Sequence, residues 1–139
     1  VLIVRQHLRP LFLFNQADAA MPKKRLMARF FLACRDLVPD IVLHAVADSQ
    51  AKKADPDSRH QQFVEFADSL LQEYFNGFKA KKMVPHLVNG NDLIQEFGLV
   101  PSPVFTTILK QVEEACVAGE ISSRDQALEL AGRILKKCE

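Results

Sequence analysis

The chain of 139 residues predicts an all-α fold, and three observations carry that expectation. Apolar residues recur at steps of three and four, most strongly between His60 and Lys82. There Phe63, Phe66, Leu70, Leu71, Tyr74, Phe75 and Phe78 fall toward one side of a helix. Helix start and stop signals punctuate the second half, at Asn89-Gly90, at Ser102-Pro103 and at Gly119. No segment alternates apolar and polar residues with a period of two, and Asn89-Gly90-Asn91 leads into helical spacing rather than a hairpin. Six or seven helices are expected.

Val1 to Leu8 opens the chain with apolar residues at 1, 3, 4 and 8, a helical stripe that Pro10 interrupts because its ring removes a backbone donor. Leu11 to Phe14 continues it as a dense apolar run, and 15–20 reads as a loop. Pro22 to Asp36 is a second helix, with Leu26, Arg29, Phe30 and Ala33 along one line and Lys23, Lys24, Arg25 and Arg35 outside. Pro39 opens a third, Asp40 to about Lys53, with Ile41, Val42, Ala45 and Val46 inward. Lys52 to Arg59 has the composition of a solvated linker. The aromatic stripe that follows offers nucleobases a stacking platform, but large aromatics at helical spacing are first what a helical core needs.

Met83 to Val88, with Pro85, is a loop leading into the best-marked part of the chain. Asn89 or Gly90 caps a short helix, Gly98-Leu99-Val100-Pro101 makes a tight corner, and Ser102 and Pro103 start a long helix that Gly119 ends. The Ser102 hydroxyl is expected to accept from a free backbone N–H. The last helix, Ser122 to Lys137, has capping-box spacing at Ser122 and Asp125 or at Ser123 and Gln126, with Leu128, Leu130, Ile134 and Leu135 on its apolar side. The division expected is a helical body, 1–83, and a helical tail, 84–139, packed as one unit.

Composition bounds the function. A formal charge of +1 gives no global field for nucleic acid, so any RNA surface must be a local patch. Cys34, Cys116 and Cys138 lack Cys-x-x-Cys spacing and fit a reducing cytosol, the first two as small core residues. No apolar run approaches the roughly 18–20 residues that span a bilayer, and Val1-Leu2-Ile3-Val4 lacks the features of a signal peptide. With an apolar helix under way at the first residue and no initiating Met, the chain is expected to be part of a longer protein.

Catalytic residues are not expected. Asp55-Pro56-Asp57 has the spacing of a magnesium-binding pair but lies in the polar linker, without a strand or a Gly-rich turn to hold it. His7, His44 and Asp48 are the candidates for a metal, with His44 and Asp48 one turn apart on a helix. The reading that prevails has His7 and Asp48 tying helices together by hydrogen bonds, with Arg9 or Arg29 as partners, and no metal is expected. Basic residues form local sets, and phosphate contact requires such side chains aligned along a backbone.

The corner resembles the tail of bacterial tRNA nucleotidyltransferases of the CCA-adding enzyme and poly(A) polymerase family. Gly90, Asp92, Leu93, Ile94, Gly98, Leu99, Pro101, Pro103, Gly119, Glu120 and Ile121 match its pattern, and Ser102 stands where the family usually has glycine. His7-Leu8-Arg9-Pro10, Ala28-Arg29-Phe30 and Val46 to Ala51 match elements that follow the family's catalytic head, so the resemblance extends over the chain. The middle also resembles His-Asp metal-dependent phosphohydrolases, although no His-Asp dipeptide occurs here.

The resemblance implies a cytoplasmic tRNA-binding and positioning piece of an enzyme that adds nucleotides to RNA 3′ ends. On it, Lys79, Lys81, Lys82, Asn91, Lys110 and Arg29 are the candidate RNA contacts, and Asp92 caps rather than binds. ATP, CTP and magnesium belong to a catalytic head outside this sequence, and the piece is expected to be inactive alone. A degenerate phosphohydrolase module and a helical docking scaffold are the alternatives. The scaffold reading expects an exposed apolar patch near Val1 to Phe14, through which two copies of the chain pair.

Overall fold

The computed structural model describes residues 2–16, 23–52, 57–80 and 86–138, and among them it is all helical. The chain forms two compact units, Val1–Lys82 and Met83–Glu139.

In the first unit, α1 (Leu2–Gln6) and α2 (Arg9–Asn15) are separated at His7 and Leu8. Pro10 therefore sits in the first turn of α2, where a missing N–H has no partner to lose. The expected interruption falls just ahead of the proline. Helix α3 (Lys23–Cys34) leads through a 3-10 turn, Arg35–Leu37, into α4 (Val38–Ala51), which carries Pro39 at its start. Helix α5 (Ser58–Gln72) is capped by Asp57, whose Oδ1 accepts from the His60 amide at 2.8 Å. It runs on as a wider π turn through Glu73–Lys79. The expected linker thus yields one ordered function at Asp57, while Asp55 and Pro56 lie outside the described residues.

Leu13, Phe30, Phe31, Val38, Ile41, Val42, Leu70 and Tyr74 form the core of this unit. Each fully buried large side chain contributes on the order of 1.5–3 kcal/mol. Phe31 is the hinge of the packing, its ring centroid 5.6 Å from that of Tyr74 and 5.6 Å from that of Phe78. This contact sets the rotation of α3. Ala28, Phe30, Phe31 and Cys34 point inward, whereas Ala33, expected on the inner line, is exposed. Of the aromatic stripe, Phe63, Leu70 and Tyr74 are buried and Phe75 is 46% exposed. Neighbouring residues of a helix differ by about 100° in direction, so Tyr74 and Phe75 cannot share a face. Burial pushes the Cys34 thiol above its ordinary range, with Arg9 opposing, which keeps it a protonated core residue.

In the second unit, α6 (Gly90–Phe97), α7 (Pro103–Val117) and α8 (Arg124–Cys138) enclose Leu93, Ile108, Val112, Ala115, Ala127, Ala131 and Ile134. Asn89 and Asp92 form a reciprocal cap at the start of α6. Asn89 Oδ1 accepts from the Asp92 amide at 3.1 Å, and Asp92 Oδ2 accepts from the Asn89 amide at 2.7 Å. Asp92 Oδ1 also accepts from Arg124 Nη2 at 2.7 Å, which joins α6 to the first residue of α8. Gly98 and Gly119 take positive φ, 62° and 78°, where a side chain would be strained. Ser102 is the cap residue of α7, but its hydroxyl makes no capping bond, in contrast to expectation. Its carbonyl accepts from Phe105 at 3.0 Å instead, which tightens the first turn. At α8 the Ser123 and Gln126 pair makes the box: Ser123 Oγ accepts from the Gln126 amide, and Gln126 Oε1 accepts from the Ser122 amide.

Asn89→Ala and Asp92→Ala are each expected to destabilise the second unit by about 1–2 kcal/mol, measured by urea denaturation. Because they share one box, the double variant should lose less than the sum. Gly98→Ala, placed at a left-handed position, should cost about 1 kcal/mol or more.

Candidate nucleic-acid interface

The start of α6 opens onto a cavity of about 490 Å3 within the second unit. His86, Asn89, Gly90, Thr106, Lys110 and Glu113 give it polar walls, while Leu109, Val112 and Cys116 give it apolar surface. The geometry follows from local sequence. The extended Asn89 starts α6, and Pro103 at the start of α7 sets the helix on which Thr106, Lys110 and Glu113 recur at steps of three and four.

Two properties suit this cavity to an anion. Asn89 takes up the Asp92 amide, but the amides of Gly90 and Asn91 carry no bond among the described residues. Such free amides at a helix start attract phosphate. Asp92, the acid that would oppose an anion there, is engaged by the Asn89 amide and by Arg124. Lys110 is exposed and makes no ion pair among the described residues. Glu113 places an opposing charge on the same wall, so the side suited to an anion is the one formed by Lys110 and the Gly90 amide.

The proposed contact residues are thus distributed over both units. Lys110 lines the cavity, and Asn91 is the exposed second residue of α6. Lys79 closes the π turn of the first unit, exposed, with its Nζ 5.7 Å from the Phe75 ring centroid. Arg29 is half-buried on α3 and engaged by an interaction of its own. Lys81 and Lys82 lie outside the described residues.

The metal candidates do come together in the first unit. The His7 and His44 rings stack at 5.7 Å, and both imidazoles act on Asp48. Two of their donor atoms are engaged elsewhere: His7 Nδ1 bonds to the Val4 carbonyl at 2.6 Å, and Asp48 Oδ2 accepts from Lys52 Nζ at 2.7 Å. Among the described residues no three His, Cys, Asp or Glu side chains converge as a metal site, so the residues present do not fit magnesium or a hydrolytic metal centre. The expected ties to Arg9 or Arg29 are replaced by the Lys52 bond, because Lys52 lies one turn along the same helix end.

Residues with no motif to mark them also matter. His60 is 7% exposed, and its Nδ1 lies 3.2 Å from Ser49 Oγ. Arg59 reaches 44 positions back to Asn15 Oδ1 at 2.7 Å. The only sequence signal for either is the Asp57-x-x-His60 spacing of a helix cap.

Hydrogen bonding from Lys52 holds the Asp48 carboxyl below its ordinary 3.8, with the charges of Lys52, His7 and His44 adding to the effect. A depressed carboxylate contributes stability above its ordinary value and loses it as pH falls through the lowered one. NMR titration should therefore find Asp48 titrating below 3.8, and Lys52→Met should move it back upward.

Among the described residues no helix is long and apolar enough to cross a membrane. A CC-adding tRNA nucleotidyltransferase from Synechocystis sp. is 29% identical over 115 residues, covering 83% of this chain and 25% of that protein. The chain thus spans about a quarter of the length of the curated relative it matches. No solved structure gives a significant match. The family model for tRNA nucleotidyltransferase domain 2 matches residues 52–131, more than half of the sequence, and the chain belongs to that family.

Proposed function

We propose that this chain is the tRNA-holding part of a template-independent RNA nucleotidyltransferase, with the start of α6 and the facing wall of α7 meeting the RNA backbone. The observation that carries this reading is Lys110 standing on one cavity with Gly90, whose amide is free at the start of α6, while Asp92 is engaged by the Asn89 amide and Arg124. A phosphate at the Lys110 end of the cavity meets a cation and the Gly90 N–H, with Glu113 further along the same helix as the one acid of the lining. A folded RNA presents its phosphates at fixed spacing, and proteins read its helices mainly by shape. The match to the CC-adding relative makes tRNA the RNA to expect.

In this reading the chain lies C-terminal to a catalytic portion that binds ATP, CTP and magnesium in the cytoplasm. The choice between CC, CCA, A and poly(A) addition belongs to that portion. The present residues hold and orient the RNA without reacting with it. Val4, Leu8 and Phe12, 67%, 54% and 49% exposed, supply an apolar face for packing. In the isolated chain a second copy occupies it.

Lys110→Glu should weaken tRNA binding several-fold and reduce the slope of log affinity against log salt by about 1, as removal of a single phosphate contact does. Lys79→Glu is expected to act in the same direction. Unchanged affinity and slope for Lys110→Glu would remove the α6–α7 cavity from the interface. In sedimentation, the isolated chain should dimerise with rising concentration, and Val4→Ser with Phe12→Ser should return it to a monomer. A wild-type monomer at all concentrations would contradict the pairing.

A further inference from the structure

A second cavity, of about 270 Å3, lies inside the first unit, where α2 and α4 meet the start of α5. Its composition is divided. Leu11, Phe14 and Phe63 supply an apolar side, with the two phenyl rings 5.4 Å apart edge to face. Lys52, Arg59 and His60 supply a cationic and hydrogen-bonding side. We infer that this cavity binds a nucleoside monophosphate, with the base against Leu11 and Phe14, which the buried Phe63 backs, and the phosphate on Arg59, Lys52 and His60.

Size selects the ligand. At about 270 Å3 the space falls just below the usual range of small-molecule sites, roughly 300–1,000 Å3, and suits a single nucleotide rather than a polymer segment. Charge selects it as well. Lys52 and Arg59 face one carboxylate, Asp48, so the lining is net cationic even with its imidazoles neutral. Lys52 uses one of three ammonium donors on Asp48, and Arg59 bonds Asn15 through one nitrogen of its guanidinium, so both retain donors for a phosphate.

His60 makes this a built site rather than a chance surface dent. It is 7% exposed, its amide is held by Asp57 and its Nδ1 pairs with Ser49, which fixes the ring. The other ring nitrogen, Nε2, has no partner among the described residues while the side chain lines the cavity. A buried imidazole with one nitrogen anchored and the other free is a preorganised contact for a phosphate oxygen. None of these groups belongs to the proposed RNA contacts, so this inference stands apart from the tRNA reading.

The test titrates the full chain, isotope-labelled, with AMP, adenosine and inorganic phosphate while following the His60 imidazole and Phe63 ring by NMR. AMP should shift both saturably and bind at least about ten-fold more tightly than either half-ligand, since both sides of the cavity are then used. Arg59→Gln and Lys52→Gln, both at exposed positions, should each weaken AMP about five-fold or more while leaving the unliganded spectrum of the core unchanged. Saturating tRNA should leave AMP bound. The inference is overturned if AMP produces no saturable shift at millimolar concentration, if adenosine binds as well as AMP, or if neither substitution changes the affinity. Displacement of AMP by tRNA would also overturn it, assigning the cavity to the RNA surface.

Discussion

The second unit depends on where the Asp92 carboxylate is spent. Helix α6 has eight residues, too few to persist without tertiary support. One oxygen of Asp92 closes the box with Asn89 and the other receives Arg124, so a single side chain fixes both the start of α6 and its attachment to α8. Leu93, the next residue, is then driven into the core with no exposed surface. The ion pair is partly exposed, 15% at Asp92 and 46% at Arg124, and alone would contribute little. Its value comes from belonging to a network that includes two backbone bonds. The same arrangement leaves the Gly90 amide on the cavity that Lys110 lines, with the Asp92 carboxylate engaged by Asn89 and Arg124. The stability of this corner and the anion contact proposed for it therefore rest on the same side chain.

The first unit is organised differently, by aromatic packing rather than by caps. Phe31 against Tyr74 and Phe78 sets the rotation of α3, and Phe14 against Phe63 forms one side of the smaller cavity. The polar residues then gather at the ends of α2 and α4 and the start of α5, where helix termini leave room for them. His7, His44 and Asp48 do meet, but as a stacked pair of rings and a lysine-bound carboxylate rather than as a metal centre.

What was legible in the sequence was what local chemistry decides. Asn89, Gly119 and the Ser123–Gln126 box act where their spacing placed them, because a cap involves residues three apart. Ser102 shows the limit: its position as a cap was readable, but not that its carbonyl rather than its hydroxyl would close the turn. The face of α3 was not readable either, since Phe30 and Phe31 permit more than one rotation until Tyr74 and Phe78 are in place. Both cavities join residues far apart in the chain, Arg59 with Asn15 and Lys110 with Gly90, and no periodicity announces such pairs. Asp92 was readable as a capping residue, but its union with Arg124, 32 positions on, was not.

The most direct test of the central claim is a salt-dependent titration of the intact chain against tRNA and a length-matched single-stranded RNA. A surface that holds folded RNA through spaced phosphates predicts tighter binding to tRNA, weakening steeply and linearly in log salt. Equal affinity for the two RNAs, or binding to tRNA that salt does not weaken, would contradict it.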